Sequence, residues 1–182
     1  LCAAIEAKSV GSTMGFSAVE GLMMGTRSGS IDPGVLLYLM EEGWSHEDIV
    51  GLLYKHSGLK GISGISADMR TLRASTEPRA QLATDLYTYR VVKESGALIA
   101  AMGGVNVIAF TGGIGEHDVQ LRQDVCDKLS FLGVSIDPQL NASAHGEAMV
   151  AIHADHSEVE IWVVPTDEGR VAAEEAIQLL HL

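Results

Sequence analysis

Val105-Asn106-Val107-Ile108-Ala109-Phe110-Thr111-Gly112-Gly113-Ile114-Gly115 is the stretch on which the fold class turns. Val105, Val107, Ile108 and Phe110 form the short apolar run of a strand buried in a sheet. The glycines after it permit a tight turn, and a helical pattern follows over about 118–132. Strand, glycine loop and helix in this order indicate an α/β fold, with helices covering a sheet. Backbone N–H groups at such a turn and at a helix N-terminus attract phosphate, so the loop reads either as a phosphate contact or as an ordinary tight turn. Its spacing is neither G-x-G-x-x-G nor a Walker loop ending in Gly-Lys-Ser/Thr.

Towards the C-terminus, strands are expected at 134–136, 148–154 and 160–164, and a closing helix at about 167–180. Towards the N-terminus, 1–7 and 10–14 read as a hairpin turning on Ala7-Lys8-Ser9, and 17–24 has helical composition. The glycine- and proline-bearing stretch 25–34 reads as a loop, and 35–42 is densely apolar. Ser45 and Asp48 form a capping-box pair ahead of a helix that Gly58 can stop. Residues 59–66 read as a loop and 68–73 as a short helix. Pro78 opens a long helix to about Met102, with Leu82, Leu86, Tyr89 and Val92 as its buried stripe.

The 182 residues, 47% hydrophobic and 20% charged, suffice for one sizeable core, and a single domain over 1–182 is expected. Twelve basic against 24 acidic residues give a net charge of −12, which argues against nucleic acid or an anionic membrane as partner. A phosphate ligand then needs local help from placed arginines, backbone N–H groups or a divalent cation. Cys2 and Cys126 lie far apart without metal-ligand spacing, which fits a reducing cytoplasm. No apolar run reaches the ~20 residues of a membrane span, and no signal-peptide pattern is present. The apolar start at Leu1, without Met, reads as a chain entered inside a strand.

Several residue types invite a chemical reading beside a bland one. Arg27, in a loop between glycines, suits two-point contact with a phosphoryl group or carboxylate, or is simply solvated. Glu168 suits Mg²⁺, a hard cation, or serves with Asp167 the dipole of a helix capped by Thr166. Asp68 and Arg70 suit hydrogen bonding to a ribose or base, or local capping. The seven histidines, His117 among them, share no metal-binding spacing.

These features occur in the order found in acetate kinases. The stretch Thr13-Met14-Gly15-Phe16-Ser17, continued by Glu20-Gly21-Leu22-Met23-Met24-Gly25-Thr26-Arg27-Ser28-Gly29-Ser30-Ile31-Asp32-Pro33, resembles the M-G-F-x-x-x-E-G-L-x-M-G-T-R-x-G-x-x-D-P signature of that family. Ser63 to Arg70, Phe110 to Glu116 and Val164 to Glu168 match further motifs, so the resemblance spans essentially the whole chain. It implies the acetate and sugar kinase, Hsp70 and actin architecture, a ribonuclease H-like α/β domain with a mixed sheet. It implies reversible transfer of the γ-phosphoryl group of ATP to acetate, with Mg²⁺ or Mn²⁺, in a cytoplasmic homodimer. By the same resemblance Arg27 is the catalytic arginine, and Glu168 the residue that positions the metal. Asp68, Met69 and Arg70 contact the adenosine, Gly113, Ile114, Gly115, Glu116 and His117 lie at the nucleotide, and Ala18 lies at the acyl pocket.

Three departures carry expectations. The H-L-G-N-G-A-S segment and the first domain of the family, with its second arginine and most of the substrate pocket, are not in this sequence, so the chain alone is expected to be inactive. His117 and Asp167 stand where the family has asparagines. Ala18 replaces a proline, a change compatible with propionate or butyrate as acceptor. A module of the same architecture that binds nucleotide without catalysis is the alternative; Arg27 together with Glu168 favours the enzyme. The apolar run Leu36, Leu37, Leu39, Met40 reads either as core or as a dimer contact.

Overall fold

The computed structural model describes residues 1–180; the side chains of Glu168, Val171 and Ala172 lie outside the described set. The chain divides into two compact units, Leu1–Val105 and Asn106–Leu182.

The first unit opens with a hairpin. Strands β1 (Cys2–Ile5) and β2 (Lys8–Ser12) pair antiparallel, Ile5 opposite Lys8, so the turn falls on Glu6 and Ala7 rather than on the expected 7–9. Both turn residues have positive φ, 50° and 61°. A two-residue turn of this hand follows the twist of the strands and favours Asn-Gly, because a residue with a Cβ pays about 1–2 kcal/mol in that region. Replacing Glu6→Asn and Ala7→Gly together is therefore expected to raise the unfolding free energy by about 1 kcal/mol. A urea midpoint that stays put or falls would rule this turn geometry out.

Residues 17–24 form bends instead of the expected helix. Gly21, at φ +101°, brings the backbone against the Thr13 carbonyl, which no helical residue does. Helix α1 (Pro33–Glu41) is capped by the Asp32 carboxylate, which accepts from the Gly34 N–H, and Pro33 fills its first turn. Helix α2 (His46–Lys55) has the expected capping box between Ser45 and Asp48. Residues 59–66, expected as loop, instead hold helix α3 (Gly58–Ser63). Its first N–H groups, on Leu59 and Lys60, donate to the carbonyls of Met24 and Gly25, so tertiary pairing supplies what local propensity lacks.

Helix α4 (Met69–Arg73) and the long α5 (Pro78–Met102) follow, the latter ending on left-handed Gly103. The expected stripe on α5 is corrected: Leu82 and Tyr89 are 56% and 57% exposed. The buried face is Ala80, Ala83, Thr84, Thr88 and Val91. Small side chains there let α3 and α4 approach closely, and the hairpin also packs on α5. None of the residues of α1 is buried: of its apolar run Leu37 and Met40 are exposed, and Leu36 and Leu39 are half-buried.

The second unit has strand β3 (Val107–Phe110), helices α6 (Gly112–His117) and α7 (Val119–Lys128), a 3₁₀ turn (Ser130–Leu132), helix α8 (Pro138–Ser143), strands β4 (Val150–Ala151) and β5 (Glu160–Val163), and helix α9 (Glu168–Leu180). The sheet order is β3-β5-β4, with β3 parallel and β4 antiparallel to β5. This is the expected α/β arrangement with a mixed sheet.

Three sequence expectations change. Residues 134–136 contribute only a bridge from Ile136 to His153, and 148–154 shrinks to β4. The helix expected over 118–132 starts where expected, with Asp118 capping α7 by accepting from the Leu121 N–H, but ends at Lys128 ahead of the 3₁₀ turn, and the glycines before it, expected as a loop, open helix α6. Helix α8, not foreseen, starts where Asp137 accepts from the Gln139 and Leu140 N–H groups ahead of Pro138. Ile152, Ile161 and Val163 are fully buried, as are Val125 and Cys126 of α7. Burial pushes the Cys126 thiol up to about 12. No described helix is long and apolar enough to cross a membrane.

Candidate functional site

In the first unit the loop around Arg27 is held by main-chain bonds to two helices. Met24 N–H donates to Arg27 O, Ser28 N–H to Leu53 O, and Ser57 N–H to Thr26 O. The Thr26 hydroxyl adds a bond to Tyr54 O at 2.8 Å. Two glycines make the close approach possible. A Cβ on Gly58 would lie 2.1 Å from Met24 O, and one on Gly29 would lie 2.6 Å from both Gly21 O and Met23 N.

The Arg27 side chain, half-buried, lies 5.9 Å from the centre of the Tyr54 ring. Its Nη1 donates to Ala18 O at 3.2 Å and contacts Met24 Sδ at 4.0 Å. Two residues singled out from sequence, Arg27 and Ala18, are therefore neighbours. Among the described residues no carboxylate pairs with Arg27, so its charge is supported by an aromatic face and a carbonyl and is left available to an anion.

The same loop reaches the Asp68 segment, since a Cβ on Gly25 would stand 2.9 Å from Ala67 O. Asp68 caps α4, accepting from Arg70 N–H at 2.9 Å. Its carboxylate also holds the Arg70 guanidinium, with Nη2 to Oδ2 at 3.0 Å. These bonds, first the side-chain one, lower the Asp68 pKa, and the pairing raises that of Arg70. Both lie towards solvent, whereas Met69 is only 4% exposed and packs into the core.

In the second unit the parallel pair sets the geometry. Phe110 is in register with Val163, so residues 111–112 and 164–166 leave the carboxyl ends of β3 and β5 side by side. Ligands of α/β sheets bind at such ends. Glu116, 7% exposed, ties the two exits together. Its Oε1 accepts from Gly112 N–H at 2.7 Å, Thr166 N–H at 3.0 Å and the Thr166 hydroxyl at 2.8 Å. Burial pushes this carboxyl up, but the Thr166 and Gly112 hydrogen bonds and nearby His117 together outweigh it, so its pKa lies below the ordinary value. Gly113 and His117 are exposed on the same short helix, and Ile114 and Gly115 are half-buried.

Beneath the turn lies Arg122, fully buried. Nη1 donates to Gly115 O and Glu116 O at 2.9 and 2.7 Å. Nη2 donates to Asn141 O and Ala144 O at 3.0 and 2.9 Å, and Nε to Asn141 Oδ1 at 2.7 Å. All five guanidinium N–H groups are thus used, mostly by carbonyls at the ends of α6 and α8, where helix dipoles favour a cation.

Thr166, expected as the cap of α9, turns its hydroxyl to Glu116 instead. Asp167 takes the capping position, accepting from Arg170 N–H at 3.0 Å, so the charge that replaces an asparagine serves the helix dipole. The expectation for Glu168 falls on a side chain outside the described residues; its backbone opens α9. Among the described residues no group of three or more His, Cys, Asp or Glu is gathered to hold a metal ion.

Tyr54, Arg122 and Asn141 were not foreseen from sequence, and Gly58, read as the stop of α2, instead begins α3, since α2 already ends at Lys55. Arg122 carried a signal, since it falls on the apolar stripe Leu121, Val125, Cys126, Leu129 at helical spacing. Tyr54 and Gly58 carried none, because their contacts with 24–27 are distant in sequence.

The sequence profile of the acetokinase family matches residues 1–174. The chain is similar to an acetate kinase of Rhodopseudomonas palustris, 49% identical over 174 residues that make up 95% of this chain and 43% of that protein. In structure it is similar to acetate kinase of Porphyromonas gingivalis, with TM-score 0.86 and 42% identity over 95% of this chain and 44% of that one. A propionate kinase of Francisella tularensis matches with TM-score 0.85 and 36% identity, over 96% of this chain and 45% of that one. The chain thus spans less than half the length of the relatives it matches, and its mixed-sheet α/β fold is theirs. With the Arg27 loop, the Asp68 segment and the glycine turn all inside the matched region, the chain belongs to the acetokinase family.

Proposed function

We propose that this chain works as the nucleotide-binding part of an acetate kinase, moving the γ-phosphoryl group of ATP reversibly onto a short-chain carboxylate. The observation that carries this reading is Arg27: a guanidinium fixed by an aromatic face and a carbonyl, with no carboxylate neutralising it among the described residues. In-line phosphoryl transfer asks the protein for position and for positive charge around the spreading oxygens. Arg27 supplies that charge, and the glycine-built loop holds it against reorganisation.

On the same reading Asp68, Met69 and Arg70 line the adenosine site, the first and last through their exposed polar groups and Met69 from the core beneath. Gly113, Ile114 and Gly115 face the phosphates, with His117 at their edge and Ala18 beside the acyl group. The ion that the family implies is Mg²⁺ or Mn²⁺, which takes one or two protein carboxylates and completes its shell with phosphate and water. Glu168 is the residue that would hold it, and the ion supplies charge neutralisation on the phosphates. The acceptor's chain length and the cytoplasmic location follow the family. A homodimer is part of the proposal, supported by the exposed Leu37, Tyr38 and Met40 of α1, and a concentration series in sedimentation velocity reads it.

The test is Arg27→Ala in the polypeptide of full family length, assayed for acyl phosphate. A loss of about 10³ in kcat with an unchanged melting temperature is expected. A kcat within about twofold of the parent would remove Arg27 from the reaction.

A further inference from the structure

Glu116 was expected at the nucleotide, yet the structure turns its carboxylate inward. One oxygen, Oε1, takes three donors: the N–H of Gly112 at the start of the glycine turn, and the N–H and hydroxyl of Thr166 in the segment that enters α9. These segments are distant in sequence and adjacent only because β3 and β5 run parallel in register. A buried carboxylate costs free energy to bring out of water, and it is retained here with its hydrogen bonds made. Arg122 holds the carbonyl of the same residue, so Glu116 is fixed at both its backbone and its side chain. Nothing in the sheet itself requires such a bond, because the strands are already paired and Val164 N–H already donates to Phe110 O at 2.8 Å. The extra link acts beyond the strand ends, on the two segments that carry the site.

We propose that Glu116 is a positioning residue, locking the start of α6, which the proposed function sets at the phosphates, to the segment entering α9, to which the same proposal assigns the metal through Glu168. It rests on the nucleotide-binding reading above and assigns Glu116 no contact with substrate. The link makes the two halves of a metal–phosphate site one rigid piece, so that binding one partner prepares the place of the other. Its signature is the gain in ADP affinity that Mg²⁺ confers, which falls when the link is cut.

The experiment is calorimetric titration of the 182-residue chain with ADP, with and without Mg²⁺, for the parent and for Glu116→Gln, Thr166→Val and Thr166→Ser. Glu116→Gln and Thr166→Val are each expected to lose about tenfold or more in affinity for Mg–ADP, against less than about threefold for ADP alone. Thr166→Ser, which keeps the hydroxyl, is expected to stay within about twofold of the parent. Thr166→Val removes only one exposed side-chain donor, so it reads the link even where Glu116→Gln fails to fold. Equal losses with and without Mg²⁺, unchanged affinities, or a serine variant as weak as the valine one overturn the proposal. A parent chain that binds no ADP overturns the nucleotide reading itself and the proposal with it; binding that is indifferent to the variants overturns only the proposal.

Discussion

Arg122→Met is expected to cost about 3–5 kcal/mol of stability, enough to leave the second unit marginal or unfolded. The methionine fills much of the volume but donates nothing. The carbonyls of Gly115, Glu116, Asn141 and Ala144 and the Asn141 side chain then lose their partner in a place closed to water. Burial lowers the arginine's pKa, but a guanidinium stays charged in proteins, so the native state carries a cation solvated by protein oxygens. Arg122→Lys is expected to recover only a small part, since three donors on a point charge cannot reach acceptors on two helices. Trp162, in β5, reports on this unit, and its fluorescence through a urea titration measures the loss. A midpoint shift worth less than about 1 kcal/mol would show that the network is dispensable.

The second large effect is expected at Gly58. Its φ of +63° alone costs an alanine about 1–2 kcal/mol, and the added Cβ would stand 2.1 Å from Met24 O, so the Arg27 loop has to move. The combined cost of Gly58→Ala is about 3 kcal/mol or more. Gly43→Ala separates the two contributions, because Gly43 has φ +86° and nothing within 4 Å of its Cβ position. That variant is expected to lose about 1 kcal/mol only. If both variants lose the same amount in chemical denaturation, the contact with the Arg27 loop contributes nothing. In the enzyme, Gly58→Ala should also depress kcat, because the displaced backbone carries Arg27.

Much of the fold was legible wherever the signal was local. The capping box at Ser45 and Asp48, the proline at the start of α5 and the glycine that ends it are statements about neighbouring residues, and each stands where its chemistry puts it. The strand ending at Phe110 and the helix opened by Asp118 are legible for the same reason, whereas the glycines between them, read as a loop, already lie in helix α6. Other elements depend on what lies across from them. Helix α3 forms from an irregular sequence because distant carbonyls receive its first N–H groups, and 17–24 stays bent although its composition is helical. The buried face of α5 was misplaced because large apolar residues outweigh alanine in any reading by hydrophobicity, whereas close helix packing selects the small side chains Ala80, Ala83 and Thr84.

The candidate site divides along the same line. Arg27 and Ala18 were readable through a long motif, and the structure makes them neighbours. What the motif did not convey is direction. Glu116 lies within the glycine motif but points inward, and Met69 sits between two exposed polar residues with its own side chain in the core. Motifs fix which residues stand at a site; the hydrogen-bond partners decide which of them face the ligand and which hold the others in place.

The parallel register of Val107 with Glu160 has a consequence for synthesis. A ribosome adding ~5–20 residues per second releases β3 roughly 3–10 s before its partner strand, with about fifty residues intervening. During that interval the apolar strand β3 has emerged without β5, its partner among the described residues, while the whole of Leu1–Val105 is already available to fold. The pairing of β3 is therefore delayed by the synthesis of everything between it and β5.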